Sequence, residues 1–345
     1  MRARIPSLTI QPLIENAIYH GIERLPDGGL RGLVHVATQL THDLGREQHR
    51  EPALDELALD GVVAVAAHQR SMLAARRAEA KGVARVAEAV ELNQIDVDLD
   101  EATALVTGAG TGIGRAIAET FASAGAAVGV TDLDAAAAES VAEGIVAAGG
   151  KAFGAACNVT REEDLAAAVE RMVSDLGGLT ILVNNAGGGG PKPFDMPMED
   201  MRWAFELNVF SVFRLCQLAA PHMEAAGGGA ILNVTSMAAE NRNRRMASYA
   251  SSKAAESHLT RNIAHDLGPM NIRVNAVAPG ATRTTALQKV LTPEMEEAML
   301  AHTPLKRLGE PGDMANAALF LCSPAAGWIS GQVLTVSGGG VQELG

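Results

Sequence analysis

The sequence predicts an α/β fold, a doubly wound parallel sheet of seven strands with helices on both faces, on three observations. From Ala102 onward, short apolar runs alternate with longer amphipathic stretches. The runs are apolar enough to be buried on both sides, as strands of a covered parallel sheet must be. The first run passes through a glycine-rich turn straight into a helical pattern.

In order, the runs are ATALVT (102–107), AAVGVT (126–131), KAFGAA (151–156), LTILVN (179–184), AILNVT (230–235), IRVNAV (272–277) and QVLTV (332–336). Between them lie stretches such as GRAIAETFASAG and REEDLAAAVERMVSDLG, with Asp, Ser or Thr near their starts and Gly at their ends. The first hundred residues differ: their single aromatic is Tyr19, too little for a dense core. Residues 1–95 are therefore expected to be a non-catalytic N-terminal extension, partly helical or disordered. Its one convincing helix is expected over 71–92, where Met72, Val83, Val86 and Val90 recur at helical spacing. Residues 96–345 are expected to form the catalytic domain.

The 345 residues suffice for two average domains, and 48% hydrophobic residues exclude a disordered chain. Lys and Arg number 28 against 40 Asp and Glu, for a net charge of −12. That balance argues against nucleic-acid and anionic-membrane partners, because the chain would repel phosphate. Cys157, Cys216 and Cys322 lack CxxC spacing, so reduced thiols are expected rather than disulfides or a zinc site. Pro6, Gln11, Pro12, Glu15 and Asn16 interrupt the amino-terminal apolar residues, and no apolar stretch is long enough to cross a bilayer. A soluble cytoplasmic protein with no metal is expected.

The glycine-rich turn holds Gly108, Gly110, Thr111, Gly112, Ile113 and Gly114, between a predicted strand and a predicted helix. Such glycines let the backbone approach a pyrophosphate, whose charge the amides and dipole at the helix start stabilise. Asp132 follows the second run at the place where a carboxylate bonds adenosine ribose hydroxyls. It would repel the extra phosphate of NADP, and neither Thr111 nor Leu133 offers a cation, so NAD is the expected cofactor. A plainer role for Asp132 is to cap the next helix.

Tyr249 and Lys253 are four apart in a helical run, hence on one face. A phenol with an ordinary pKa of about 10 needs a nearby positive charge to act as a base at neutral pH, and Lys253 supplies one. Ser236, just past the fifth run, is suited to hydrogen-bond a substrate hydroxyl.

The G-x-x-x-G-x-G spacing of Gly108, Gly112 and Gly114, the Asn184-Asn185-Ala186-Gly187 turn and the Tyr-x-x-x-Lys pair resemble the short-chain dehydrogenase/reductase family, which has a Rossmann fold. The resemblance implies a catalytic set of Asn208, Ser236, Tyr249 and Lys253, with Asn208 in the helix before the fifth strand supporting a water-linked proton path. It implies that Asn158 accepts a bond from the adenine amino group where the family commonly has Asp, with Val159 beside it. Asn185, Pro279, Gly280, Thr282 and Thr284 would complete the cofactor site together with Tyr249 and Lys253, the lysine binding the nicotinamide ribose, and Gly187, Ser236 and Tyr249 would touch substrate.

Within the family, 182–198, 235–255, 315–326 and 334–344 resemble the bacterial 7α-hydroxysteroid dehydrogenases, over about residues 92–345. This implies NAD-dependent, reversible oxidation of the 7α-hydroxyl of bile acids to a ketone by a homotetramer. Thr285 to Thr303, with Leu287, Val290, Leu291, Met295, Met299 and Leu300, would form an apolar lid for a sterol, or simply an amphipathic helix pair packed on the domain. Arg242, Arg244 and Arg245 would meet the acidic tail of a bile acid, or form a solvated loop. Alternatives are another ketoreductase, such as a 3-oxoacyl thioester reductase, and a non-enzymatic nucleotide sensor. The latter arises because residues 4–29 resemble the part of sensor histidine kinases in which an Asn, here Asn16, helps hold Mg-ATP. The glycine-rich boxes of that ATPase are missing downstream, so the extension is expected to come from an upstream start or a joined reading frame.

Overall fold

The computed structural model describes residues 96–242 and 244–340. The expected helix at 71–92, the kinase-like stretch at 4–29 and residues 341–345 lie outside the described residues.

Strands β1 (Thr103–Thr107), β2 (Ala127–Asp132), β3 (Ala152–Ala156), β4 (Ile181–Asn184), β5 (Gly229–Val234), β6 (Ile272–Pro279) and β7 (Val333–Val336) make one sheet, ordered β3-β2-β1-β4-β5-β6-β7. Every neighbouring pair is parallel. The chain builds outward from β1 to β3, returns past β1 to β4, and builds outward again to β7. Reversal between β1 and β4 opens a crevice at the carboxyl ends of the strands, where α/β sheets bind ligands. Three expected carboxyl ends move: Asp132 and Pro279 are the last residues of β2 and β6, held in the ladder opposite Ala156 and Val336, and β5 ends at Val234, one residue before Thr235.

Helices α1 (Gly112–Ser123), α2 (Ala135–Ala147), α3 (Glu162–Leu176), α4 (Met198–Phe205), α5 (Ser211–Ala225), α6 (Ala247–Leu267), α7 (Thr285–Gln288), α8 (Pro293–Ala301) and α9 (Pro311–Cys322) cover the sheet. Strand side chains alternate between its faces. Ala104 and Val106 of β1, with Ile181, Val183 and Leu232, join Phe121 of α1, Val141 of α2 and Leu321 of α9 in one core. Leu105, Leu182 and Ile231 project the other way, onto Leu165 and Met172 of α3, Leu215 of α5 and Ile263 of α6. This two-sided burial is why the strands read as nearly continuous apolar runs.

Asp134 caps α2, its Oδ1 accepting from the Ala136 and Ala137 amides, and Gly177 ends α3 in the left-handed conformation. Between α4 and α5 the helix widens into a single π turn, Glu206–Phe210, around the buried Asn208. No helix among the described residues is long and apolar enough to cross a membrane. Cys157, Cys216 and Cys322 are free and buried, and burial pushes their thiols up to about 11, about 12 and about 12.

Candidate active site

The glycine turn is a piece of close packing. Gly108 adopts φ +61°, and a side chain there would strike the Ala186 backbone at 2.8 Å. At Gly114 a Cβ would lie 2.3 Å from the Gly108 carbonyl oxygen, so only glycine lets α1 start this close to β1. The Asn185 side chain donates to the carbonyls of Thr107 and Gly108, at 2.9 and 2.8 Å. Both its N–H groups are thus spent on holding the turn. Thr111, at the N-cap of α1, makes no side-chain cap bond, while Gly112 and Ile113 open the helix. Thr284 reaches this turn from the far half of the sheet: its side chain would stand 3.6 Å from a Cβ on Gly112.

Asp132 accepts from the Gly110 amide at 2.9 Å and from the Asp134 amide at 3.1 Å. Since Asp134 caps α2, Asp132 has no capping duty and is aimed at the glycine turn. Asn158 departs from its expected role. Its side-chain oxygen accepts from both the amide and the hydroxyl of Thr160, at 3.1 and 2.8 Å, which uses both lone pairs. The remaining side-chain group is an NH2, a donor, and an adenine amino group is also a donor. Val159 is buried in the core.

The catalytic candidates converge at the carboxyl end of β5. Lys253 of α6 donates from Nζ to the carbonyl of Val234, the last residue of that strand, at 2.8 Å. Ser236, two residues on, caps the short turn Met237–Ala239, its Oγ accepting from the Ala238 amide at 3.1 Å. That leaves its own O–H free to donate. Tyr249, half-buried in the first turn of α6, has its ring against Gly189, where an added Cβ would come within 2.5 Å of the ring. Gly187 sits over the same cluster: a Cβ there would be 2.9 Å from Asn208 Oδ1 and 3.0 Å from Lys253 Nζ.

Asn208 is fully buried in the π turn. It accepts from the Gly188 amide at 3.0 Å and donates to the Gly188 carbonyl at 2.9 Å and to Ser252 Oγ at 3.0 Å. The loop after β4 is thereby tied to α6. Ser252 in turn donates to the Tyr249 carbonyl.

Other members of the set do structural work. Thr282 is buried and donates to the Gly280 carbonyl at 3.0 Å, so its hydroxyl hydrogen holds the loop after Pro279 rather than reaching outward. Thr284 caps α7 through a bond from the Leu287 amide. Helices α7 and α8 bury none of their residues completely, and Val290 and Met295 are exposed, which is unlike a pair of helices packed on a domain. Arg242, Arg244 and Arg245 are exposed, and the Arg245 carbonyl accepts from the Lys192 amide.

Sequence reading missed Glu256. Its carboxylate is 1% exposed and pairs with Lys253 Nζ at 2.7 Å. The signal was present: α6 buries a polar stripe of Ser248, Ser252, Lys253, Glu256, Ser257 and Thr260 at helical spacing. An open depression at the other end of the sheet, lined by Asp98, Thr180, Gly229, Asn271 and Arg273 among others, contains none of these residues.

A family model described as "Enoyl-(Acyl carrier protein) reductase" matches residues 108–340. The 7α-hydroxysteroid dehydrogenase of Escherichia coli (strain K12) is 63% identical over 252 residues, 73% of this chain and 99% of that protein. A 3-oxoacyl-[acyl-carrier-protein] reductase of Aquifex aeolicus is 37% identical over 247 residues, 71% of this chain and 99% of that protein. Among solved structures, a 7α-hydroxysteroid dehydrogenase complexed with NADH and 7-oxo glycochenodeoxycholic acid superposes with a TM-score of 0.71 at 63% identity, covering 73% of this chain and 99% of that one. With a parallel seven-stranded sheet, a glycine turn into α1, and Ser236 and Lys253 meeting at the end of β5, the chain belongs to the short-chain dehydrogenase/reductase family of oxidoreductases.

Proposed function

We propose that the chain interconverts the 7α-hydroxyl of bile acids, cholate and chenodeoxycholate among them, and the 7-ketone, using NAD and with Tyr249 as general base. The 63% identity to an E. coli enzyme of that activity over 99% of its length carries this reading, against 37% for the 3-oxoacyl reductase.

The residues present fit NAD. Gly108 and Gly114, where a Cβ would strike the protein's own backbone, keep the turn tight, Thr111 and the first amides of α1 are suited to the pyrophosphate, and the Asp132 carboxylate to the ribose hydroxyls. Gly112 and Thr284 close the phosphate end, and Pro279 and Gly280 the nicotinamide end. When bound, NAD supplies the acceptor for hydride from the carbinol carbon.

The chain's own part is positioning and proton handling. Ser236 donates its free O–H to the substrate oxygen. Tyr249, as phenolate, takes the hydroxyl proton, and the Lys253 ammonium favours that phenolate electrostatically. Asn208 supports the water-linked path by which the proton leaves. Substrate passes over Gly187, with α7 and α8 as an apolar lid, and Arg242, Arg244 and Arg245 meet the acidic tail.

Mixing the purified protein with cholate and NAD and following cofactor reduction tests the reading. Turnover is expected; none with cholate, but turnover of 3-oxoacyl thioesters with reduced cofactor, overturns it. Replacing Arg244 and Arg245 with Ala should weaken taurine-conjugated substrates more than neutral sterols, and equal effects would remove the tail assignment. A homotetramer is in keeping with the exposed aromatics Trp203, Phe210, Phe213 and Trp328, and sedimentation equilibrium would read it. The NAD-binding catalytic domain is assigned to 96–345 and a non-catalytic extension to 1–95, in a cytoplasmic protein. Removing residues 1–91 should leave kcat/KM for cholate unchanged.

A further inference from the structure

Lys253 carries a partner that the proton chemistry above does not use. Glu256 lies one helical turn further along α6, and its Oε2 accepts from Lys253 Nζ at 2.7 Å. Its other oxygen, Oε1, is buried with no hydrogen-bond partner. An orphaned carboxylate oxygen of this kind costs folding free energy. It persists here beside the lysine of the catalytic set.

We propose that Glu256 is a positioning residue of the catalytic centre: it anchors the Lys253 ammonium beneath β5 and, through its own charge, sets the pH at which Tyr249 ionises. This rests on the reading of Tyr249 as base.

Geometry supports the anchoring. Lys253 Nζ is held between the Val234 carbonyl at 2.8 Å and Glu256 Oε2, two acceptors on different elements. The helix is fixed at the same place: Thr260 donates to the Glu256 carbonyl and accepts from Asn233 of β5. A side chain held at two points cannot sample the rotamers open to a free lysine.

Electrostatics supply the second half. A buried ammonium favours a nearby phenolate, and a carboxylate beside it opposes the phenolate. Few other charges intervene. From α5 the titratable group facing Glu256 is Cys216, whose thiol burial keeps neutral. From β4 and β5 come the neutral amides Asn184 and Asn233, the first donating to Cys216 and to the second. Arg202 on α4 pairs with Glu199, and Arg214 on α5 with Glu162, all exposed. Arg273 of β6 is spent on the carbonyls of Leu321 and Ser323. Burial pushes the Glu256 carboxyl up to about 7, against the pull of Lys253. The charge beside Lys253 therefore depends on pH.

The chain has two tyrosines, Tyr19 and Tyr249, so in a Tyr19→Phe background the near-ultraviolet absorbance of phenolate reports Tyr249 alone, with no substrate. In that background, Glu256→Gln keeps the shape and removes the charge. Phenolate should form at a pH about one unit lower, and the pH profile of kcat/KM for cholate should shift with it. Glu256→Ala should shift the same way and raise KM for NAD as Lys253 loses its anchor, whereas Glu256→Asp should restore most of the wild-type profile. If the melting temperature falls but phenolate formation stays where it was in both Gln and Ala variants, Glu256 is merely structural and the proposal fails. A phenolate shift without turnover of any bile acid sinks the substrate reading and leaves Glu256 standing.

Discussion

The two halves of the sheet solve their tasks with different materials. From Asp96 to Gly177, the half that would receive the nucleotide, the buried polar side chains are two hydroxyls, Thr107 and Thr131; the other half buries Asn184, Asn208, Asn233, Ser252, Lys253, Glu256 and Thr260 among others. On the proposed function the nucleotide half would meet its ligand with backbone, through glycines and amides, and with one carboxylate. On the same reading the other half would have to place a phenol, a hydroxyl and an ammonium together, and a buried network runs there from Asn184 through Asn233 and Thr260 to α6. Affinity for a common cofactor can be built from main chain; a proton path cannot.

The sharpest way to separate the halves is Tyr249→Phe. Loss of the base should cut kcat/KM by about 10³-fold while NAD affinity, by calorimetric titration, stays put; a parallel loss of NAD binding would show that the halves are not separable. Gly114→Ala makes the reciprocal cut. With a Cβ 2.3 Å from the Gly108 oxygen, the turn must shift, costing about 1–3 kcal/mol in urea unfolding and most of the NAD affinity. Asp132→Ala should raise the dissociation constant for NAD about tenfold, the worth of a charge-assisted hydrogen bond, and narrow the preference over NADP, with kcat nearly unchanged.

The catalytic half should also leave a mark on stability. Glu256 is raised from 4.5 to about 7 in the folded chain, so between those values the native state binds more protons than the unfolded one. Stability supplied by this group is therefore present below about pH 4.5 and lost as pH rises through about 7. The difference in urea midpoint between wild type and Glu256→Gln should change over that window and be flat above it. The mildest test is Asp134→Ala, which removes the cap of α2. It should cost about 1 kcal/mol and leave NAD binding alone, in contrast to Asp132 two residues away.

The same contrast explains what could be read in the sequence. All seven strands were legible because burial on both faces makes them continuous apolar runs, and the glycine turn because its steric needs are written as glycines. Strand ends were less so: whether Asp132 and Pro279 stay in the ladder depends on partners far along the chain, Ala156 and Val336. Motif and order single out Lys253, Ser236 and Asn208 as candidates, and Lys253 and Ser236 both lie at the carboxyl end of β5. Asn158 was placed by position, but its oxygen went to Thr160, two residues away, a local competitor that a family pattern does not reveal. Thr282 was likewise turned inward. Glu256 escaped because a glutamate three residues from a lysine reads as an exposed helix pair, and only tertiary packing shows that the stripe it belongs to faces the core.

The π turn at Glu206–Phe210 has a consequence for how this site tolerates change. A π turn is an α-helix holding one residue too many. Removing a single residue there, Val209 for instance, would let α4 and α5 merge into one regular helix and close the wider turn that gives Asn208 its place. Asn208 would swing off Gly188 and Ser252 although no chemical group had been altered. At this point the site depends on a residue count as much as on residue identity, so a one-residue deletion should be more damaging here than most substitutions.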